Sequence, residues 1–228
     1  MANAAHRGMG RSKYTTEERV RMLALFIHTT REIIDSEGIE QVSIRKIAQH
    51  SGYNSATFYS YFKDQDELIT ISAMSYLEDY CSALAKELKT PRSAYDTYLL
   101  TWELFGKYAF AYPQVYQRLF FYPHSKPLAS TIARYYKCFP EQLENIGGAV
   151  KQMLRGGDLE DRDLPVLAPL AEEGIIRRED VGLISALAVA HFHSLLDEKC
   201  LRGDAADSAE LLERQMKAVR FLLRRQKE

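Results

Sequence analysis

The stretch that most constrains the fold of this chain is residues 42–68, VSIRKIAQHSGYNSATFYSYFKDQDEL. Its first half carries apolar side chains at the spacing of one helical face, and Ser43, a residue type that caps helices, comes directly before them. Gly52 follows, and glycine readily adopts the positive φ that a sharp turn requires. This half therefore predicts a short helix that ends in a tight corner.

The second half of the stretch predicts another short helix over residues 55–61, with Asn54 as its N-cap and Phe58 as its inward apolar residue. Ala48, Gly52 and Phe58 have the spacing of a helix-turn-helix. The alanine lets the two helices approach, the glycine makes the corner, and the aromatic ring fills the space between them. In that motif the second helix enters the major groove of DNA.

Five short runs within this stretch carry a family resemblance. They are Ile47-Ala48, Ser51-Gly52, Thr57-Phe58-Tyr59, Tyr61-Phe62-Lys63 and Asp66-Glu67-Leu68. With the sequence back to Glu17, they resemble the DNA-binding domain of the TetR family of bacterial transcription repressors. Tyr53 and Ala56 stand where that family usually has a small aliphatic residue and a glycine.

The remaining sequence predicts an all-α protein, because helical periodicity recurs along it and strong strand runs do not. We expect a flexible basic arm over residues 1–14, whose composition favours an unstructured terminus over an arm that contacts DNA. A three-helix helix-turn-helix DNA-binding head should follow over residues 15–63. The larger helical-bundle body, over residues 64–228, should bind a ligand and dimerise.

Several helix limits within this scheme follow from capping residues, glycines and prolines. The predicted helices are residues 15–38, 64–89, 165–173, 180–201 and 205–225, with a break at Pro113 and an acid-rich surface loop over residues 155–163. Thr15 with Glu18 and Asp64 with Glu67 should each form a capping box.

Charge is distributed unevenly along a chain whose formal net charge is only −1. Residues 1–63 contain nine Lys/Arg and six Asp/Glu, whereas the remainder contains 21 and 25. A mildly basic head on an acidic body suits a protein that binds DNA at one end.

Other function classes find little support in the sequence. It lacks an HExxH motif and a phosphate-binding glycine loop, so we expect no catalytic residue, no cofactor and no metal. His191 and His193 would point about 200° apart on a helix, which prevents both from gripping one metal ion. Dispersed cysteines and the lack of a leader or a long apolar run predict a cytoplasmic protein that does not enter membranes.

The predicted DNA contacts follow from short or planar side chains on the outer face of the second helix, because such side chains let a helix approach base edges. These residues are Asn54, Ser55, Ala56, Thr57, Tyr59 and Ser60. The resemblance implies phosphate contacts by Ser43, Tyr61 and Lys63, and Arg45 adds charge nearby. For Tyr59 and Tyr61 the alternative is ordinary packing within the head.

Aromatic residues at helical spacing fill the first half of the body. The resemblance places a ligand pocket among them, lined by Trp102, Phe105, Tyr116, Phe120, Tyr135 and Phe139. The alternative is a filled aromatic core. The 14 tyrosines of the chain favour a cavity, because buried hydroxyl groups need hydrogen-bond partners.

Long apolar faces on the last two helices predict a four-helix interface with a second copy of the chain. Its predicted residues are Ala188, Phe192, Leu195, Leu212, Met216 and Val219. The alternative is that these side chains are buried within one chain.

The function predicted from the sequence is a ligand-responsive DNA-binding transcriptional regulator. It would be a homodimeric repressor that a small-molecule effector releases from a palindromic operator in double-stranded DNA. The alternative is an architectural or protein-partner-binding DNA-binding protein with no small-molecule ligand.

Overall fold

The computed structural model describes residues 15–122, 128–140 and 148–224, and within them the protein is all-α, as predicted. Its helices are α1 (Thr16–Glu37), α2 (Ile44–Ser51), α3 (Ser55–Tyr59), α4 (Gln65–Glu87), α5 (Ala94–Ala111), α6 (Pro113–Phe121), α7 (Leu128–Cys138), α8 (Gly148–Arg155), α9 (Leu159–Glu172), α10 (Val181–Arg202) and α11 (Ser208–Leu222). The predicted arm over residues 1–14 lies outside the described residues.

The first helix begins and ends where its capping residues predict. Thr15 and Glu18 form the expected capping box at the start of α1, with bonds of 3.2 and 2.7 Å between backbone amides and side-chain oxygens. Gly38 ends the helix with a φ of 93°. Ser43 then caps α2, and Gly52 makes the corner after it in the left-handed conformation, with a φ of 73°.

The head is held together by a cluster of aromatic rings around Phe26. The centroid of this ring lies 6.2 Å from that of Phe58 and 5.9 Å from that of Phe62, both in edge-to-face geometry. Phe58 is buried as predicted, and Ile47 of α2 is buried in the same core. Phe26 itself is fully buried.

Helix α4 connects the head with the body and is buried on almost every side between residues 68 and 77. It packs against α1 on one side and against α5, α6 and α7 elsewhere. Asp64 caps it by accepting from the amide of Glu67, but the predicted capping box is only half formed. Glu67 accepts instead from the amide of Lys63, at 2.7 Å.

Helix α9 corrects the prediction of an acidic surface loop over residues 155–163. The helix already begins at Leu159, with Asp158 as its N-cap, and Pro165 lies inside it. Acidic side chains in a first helical turn are stabilised by the amide groups and the dipole of the helix N-terminus, which accounts for this acid-rich composition. Because α9 begins before Pro165 and continues through it, the predicted helix start at residue 165 is wrong.

Buried apolar side chains form one cluster that runs from Leu23 in α1 to Leu223 at the end of α11. Helices α10 and α11 pack against each other, and α11 also packs along α5. Within the described part of the chain, none of the helices is both long and apolar enough to cross a lipid bilayer.

Candidate DNA interface and body pocket

The outer face of α3 carries the exposed side chains that the sequence predicts for a recognition helix. Asn54, Ser55, Ala56, Tyr59 and Ser60 are exposed, and Thr57 is half-buried. Tyr59 is 59% exposed beside Phe58, which is only 1% exposed. This inside–outside division follows from helical geometry, because neighbouring residues on a helix point in different directions.

Helix α3 is shorter than predicted, since it ends at Tyr59 rather than at residue 61. The amides of Ser60 and Tyr61 bond back to the carbonyls of Thr57 and Phe58 at 3.1 and 2.9 Å, in tight turns. The side-chain oxygen of Asn54 accepts from the backbone amide and the hydroxyl of Thr57, at 2.9 and 3.1 Å. The cap therefore uses this oxygen, and only the amide nitrogen of Asn54 is left for a base.

Two of the cations that the sequence predicts at the DNA interface are exposed. Arg45 and Lys63 are exposed, and neither makes an ion pair with another described residue. Lys46, which follows Arg45 in sequence, is already paired with Glu37 at 2.6 Å. The hydroxyl of Ser43 accepts from the amide of Lys46 at 3.2 Å, so this side chain also serves as a helix cap.

Tyr61 corrects the expectation that its side chain contacts phosphate. It is only 7% exposed, and its hydroxyl group is buried. Its ring centroid lies 5.9 Å from that of Phe26, with the guanidinium of Arg19 at 5.3 Å from the ring. The packing alternative therefore applies to Tyr61, because a buried hydroxyl cannot reach a DNA backbone.

The body contains a small cavity between α4, α5, α8 and α9. Its volume open to a water-sized sphere is about 20 Å³, and its lining residues are Tyr80, Thr101, Trp102, Phe105, Met153, Leu159, Arg162 and Asp163. Space of this size holds about one water molecule. Any larger ligand requires the walls to move apart.

Of the aromatic residues predicted to line a pocket, Trp102 and Phe105 line this cavity. Tyr116, Phe120 and Tyr135 are buried in the surrounding core, and Phe139 is half-buried against the ring of Tyr135 at 4.9 Å. Phe105 links the two groups, with its ring centroid 5.5 Å from that of Tyr116. The aromatic region is thus mostly packed, with one small cavity at its edge.

Asp163 is the buried acceptor for two aromatic side chains of α5. Its carboxylate accepts from the indole nitrogen of Trp102 at 3.0 Å and from the hydroxyl of Tyr98 at 3.2 Å. Burial raises the pKa of this carboxyl to about 6, and the hydrogen bonds from Tyr98 and Trp102 oppose the rise. The sequence reasoning missed Asp163 because it assigned the residue to a solvated loop. The need of Trp102 and Tyr98 for a buried acceptor was the signal that could have found it.

Arg162, next to Asp163 on α9, is also buried, at 3% exposed. Its guanidinium lies 5.3 Å from the centre of the Phe120 ring. Its Nε and Nη2 atoms are buried and have no hydrogen-bond partner among the described residues. Gly156 packs directly against this arginine, because a Cβ atom on the glycine would lie 2.7 Å from the backbone nitrogen and the Cγ of Arg162.

The predicted dimer residues prove to be core residues of a single chain. Ala188, Phe192, Leu195, Met216 and Val219 are buried, and Leu212 is half-buried. A Cβ atom on Gly106 of α5 would lie 2.8 Å from a methyl of Leu212, so α11 packs closely on α5. The apolar face that these residues form is the inner face of the two helices, because α5 and the rest of the body cover it.

The outer faces of these helices do expose large apolar side chains. We call Leu183, Leu187 and Phe221 the outer patch; they are 61%, 46% and 67% exposed. They line a groove of about 610 Å³ together with Ile175 and Leu222. Exposed apolar surface of this kind is typical of a contact with another protein.

The two histidines of α10 contact different helices, as their spacing predicts. Nδ1 of His191 lies 2.8 Å from the side-chain oxygen of Gln215 in α11, whereas the ring of His193 stacks on Phe121 of α6. Among the described residues there is no group of three or more His, Cys, Asp or Glu side chains that could hold a metal ion.

Comparison with known proteins supports the interpretation of the head and of the fold. Residues 26–70 match the family model described as bacterial regulatory proteins, tetR family. No curated protein matches the chain significantly. The resemblance identified from the sequence is therefore confirmed for the head.

Several solved structures share the fold of this chain at low sequence identity. Thermus thermophilus FadR in complex with lauroyl-CoA is 15% identical, with a TM-score of 0.59 over 88% of this chain and 93% of that chain. A putative regulator from Syntrophomonas wolfei is 17% identical, with a TM-score of 0.57 over 92% and 96%. RolR in complex with resorcinol is 18% identical, with a TM-score of 0.56 over 94% and 98%. At these identities the similarity establishes the all-α fold.

Proposed function

We propose that this protein, whose head matches the tetR family and whose fold is that of TetR-family transcription regulators, is a cytoplasmic repressor that a small-molecule effector releases from a DNA operator. The observation that carries the DNA-binding part is the outer face of α3. It exposes Tyr59 and several short side chains, while Phe58 anchors the helix from behind. Such a face can enter the major groove.

Two free cations support the same interface from either side of α3. Arg45 on α2 and Lys63 after α3 have no ion-pair partner among the described residues, so phosphate contacts would cost no existing salt bridge. Phosphate contacts fix the register of a protein on the duplex, and base contacts supply specificity. We therefore assign Arg45 and Lys63 to phosphate binding and α3 to base readout.

A homodimer joined through the outer patch would present two such heads to a palindromic operator. Leu183, Leu187 and Phe221 replace the predicted contact residues, because they are the exposed members of the same two helices. A two-fold axis through this surface would place the recognition helices on half-sites separated by about 34–36 Å, or a multiple of it. DNA affinity would then depend on the separation of the heads.

Bonds from α6 and α7 to the start of α4 and to the end of the head give an effector a route to the DNA interface. Arg134 of α7 bonds to Glu67 and to the carbonyl of Tyr61, and Arg118 of α6 pairs with Asp66. Helix α8 lines the body cavity and packs against α7, and α5 lines it and packs against α6. A ligand that parts the cavity walls would therefore shift the two helices that hold the start of α4. Effector and DNA would then compete through a coupling free energy of about 1–3 kcal/mol.

The DNA interface is tested with a duplex that the protein selects from a randomised pool. We expect the slope of log K against log[salt] to be strongly negative, and to become shallower by about 0.9 for each phosphate that a variant no longer neutralises. Lys63→Ala and Arg45→Ala should each produce that change. Arg178→Ala, which removes an exposed cation from the body, is the matched control. Equal slopes for all four proteins would reject the interface.

One observation favours the second candidate, a DNA-binding protein with no small-molecule ligand. The body cavity has a volume of only about 20 Å³, so the aromatic core is almost filled. An architectural protein would bind the selected duplex with an affinity that no small molecule changes. Titration of the protein–DNA complex with small-molecule candidates distinguishes the two functions, because only a ligand-responsive regulator releases the duplex.

A further inference from the structure

The buried arginine of α9 faces the body cavity, and the described residues supply no counter-ion for it. Arg162 lines the cavity and is 3% exposed, and its Nε and Nη2 atoms lack hydrogen-bond partners within the described part of the chain. Burial of an uncompensated charge is strongly unfavourable, so buried cations in proteins are nearly always paired. A buried guanidinium without a counter-ion is well suited to bind an anion.

The acidic residues close to Arg162 in sequence do not supply that anion. Glu160 and Asp161 are exposed, on the outer side of α9. Asp163 is buried, but its two oxygens accept from Trp102 and Tyr98. These acids therefore leave Nε and Nη2 of Arg162 without a hydrogen-bond partner among the described residues.

A second hydrogen-bond donor lies in the wall of the same cavity. The hydroxyl of Tyr80 donates to the sulfur of Met153 at 3.6 Å, and a thioether is a weak acceptor. Burial raises the pKa of Tyr80 well above its ordinary value, so the hydroxyl keeps its proton at neutral pH. The hydroxyl of Tyr80 can therefore donate to a better acceptor than this sulfur while it remains neutral.

The rest of the lining is mostly apolar or aromatic. Trp102, Phe105 and Leu159 are the apolar walls around the guanidinium. A ligand that satisfies all of these groups has an anionic end and an apolar body. Carboxylate and phosphate groups both match the planar fork of arginine through two parallel hydrogen bonds. The carboxylate is smaller and carries less charge, which suits a cavity of about 20 Å³ whose lining is mostly apolar.

We propose that the effector of this regulator is a small organic carboxylate with an apolar body, held by Arg162 and Tyr80. This proposal rests on the proposed function, since it assigns the chemistry of the effector whose binding releases DNA. The carboxylate of the ligand neutralises the buried guanidinium, and the apolar body of the ligand pushes the cavity walls apart. The carboxylate supplies recognition, whereas the apolar body supplies the change in shape.

Matched pairs of probes test the proposal. Octanoate is compared with octanamide, and phenylacetate with phenylacetamide, so that the two members of each pair differ in charge and hardly in shape. Trp102 is the single tryptophan of the chain and lines the cavity, so its fluorescence reports binding directly. We expect the wild-type protein to bind at least one carboxylate about tenfold or more tightly than its amide.

Variants assign the preference to the named residues. Arg162→Met should abolish the preference for the carboxylate, and Tyr80→Phe should weaken carboxylate binding more than amide binding, because a hydrogen bond to a charged acceptor is the stronger one. Arg155→Met, which removes an exposed arginine at the end of α8, should behave as the wild type does. Equal affinity for carboxylate and amide in the wild-type protein, no binding of any probe, or an unchanged preference in Arg162→Met would each overturn the proposal.

Two further measurements separate this proposal from the proposed function. Arg162→Met should keep the melting temperature of the wild type or raise it, because it removes an unpaired buried charge; a large fall would show that the arginine has a structural role and overturn the proposal. DNA binding by the same variant is measured on the selected duplex. If the wild-type protein binds the duplex but shows no preference for carboxylates, only the proposed effector class is rejected. If the wild-type protein binds no duplex, the proposed regulator function is rejected.

Discussion

Nη2 of Arg134, in the body, donates a hydrogen bond of 2.6 Å to the carbonyl oxygen of Tyr61, directly after the recognition helix. The same guanidinium forms an ion pair with Glu67, and its carbon lies 5.5 Å from the centre of the Phe62 ring. One side chain of α7 thus holds the end of the head, the start of α4 and a ring of the head core. Through it, a movement of α7 would reach the proposed DNA interface.

Replacement of this arginine should loosen the head from the body. We expect Arg134→Met to lower the free energy of unfolding by about 1–3 kcal/mol, because a partly buried carboxylate and a carbonyl are left without their partner. Urea denaturation measures the change. Arg92→Met, which breaks the exposed pair with Glu87, should cost less than about 1 kcal/mol. Equal losses of stability in the two variants would mean that the bonds between head and body are no stronger than a surface pair.

Two neighbouring aromatic residues of α3 should have opposite roles. Phe58 fills the head core, so Phe58→Ala should lower the free energy of unfolding by about 3–5 kcal/mol. Tyr59 is exposed, so Tyr59→Ala should weaken DNA binding and leave the melting temperature almost unchanged. Thermal denaturation and DNA titration of both variants check the pair. A Tyr59→Ala protein that unfolds as readily as Phe58→Ala would contradict the assignment.

The head could be predicted from the sequence almost completely because its signals are local. Thr15, Ser43 and Gly52 determine helix ends through bonds within a few residues, and each one has the predicted role. Tyr61 could not be assigned in this way. Its burial depends on Phe26, which is far away in sequence, and a motif does not distinguish a tyrosine that packs from one that binds phosphate.

The body was less predictable because its features depend on contacts between distant helices. The acids of α9 have the composition of a loop, and only the bonds from Trp102 and Tyr98 show why Asp163 is buried. Similarly, α10 has apolar residues on more than one face, and periodicity cannot decide which face a neighbouring helix covers. Phe192, predicted at the interface, is therefore buried in the core, whereas Leu187 on the same helix is exposed.

Charges on the outer patch should separate the proposed homodimer. The double variant Leu187→Glu, Phe221→Glu places acids on two exposed apolar positions, so we expect a folded monomer with much weaker DNA binding. Light scattering after size-exclusion chromatography measures the mass. Leu164→Glu, at an exposed leucine of α9 outside the patch, should leave the oligomeric state unchanged. A double variant with the mass of the wild-type protein would show that the patch is not the dimer contact.

Asp163 should give the stability of the protein a distinct dependence on pH. Burial raises its pKa from an ordinary value of 3.8 to about 6, so the folded state binds this proton more tightly than the unfolded state does. Its contribution to stability is therefore complete below about pH 4 and is lost as the pH rises through about 6. The loss should reach about 3 kcal/mol at neutral pH, at about 1.4 kcal/mol for each pH unit between the two values.

Urea denaturation of the wild type and of Asp163→Asn between pH 4 and 7.5 isolates this contribution, because the asparagine does not titrate. We expect the wild type to lose stability relative to Asp163→Asn as the pH rises through this range. Asp204→Asn, at an exposed acid, should follow the wild type. If the free energies of unfolding of the wild type and of Asp163→Asn changed with pH in parallel, the protonation of Asp163 would not differ between the folded and unfolded states in this range. That result would contradict a pKa raised by burial.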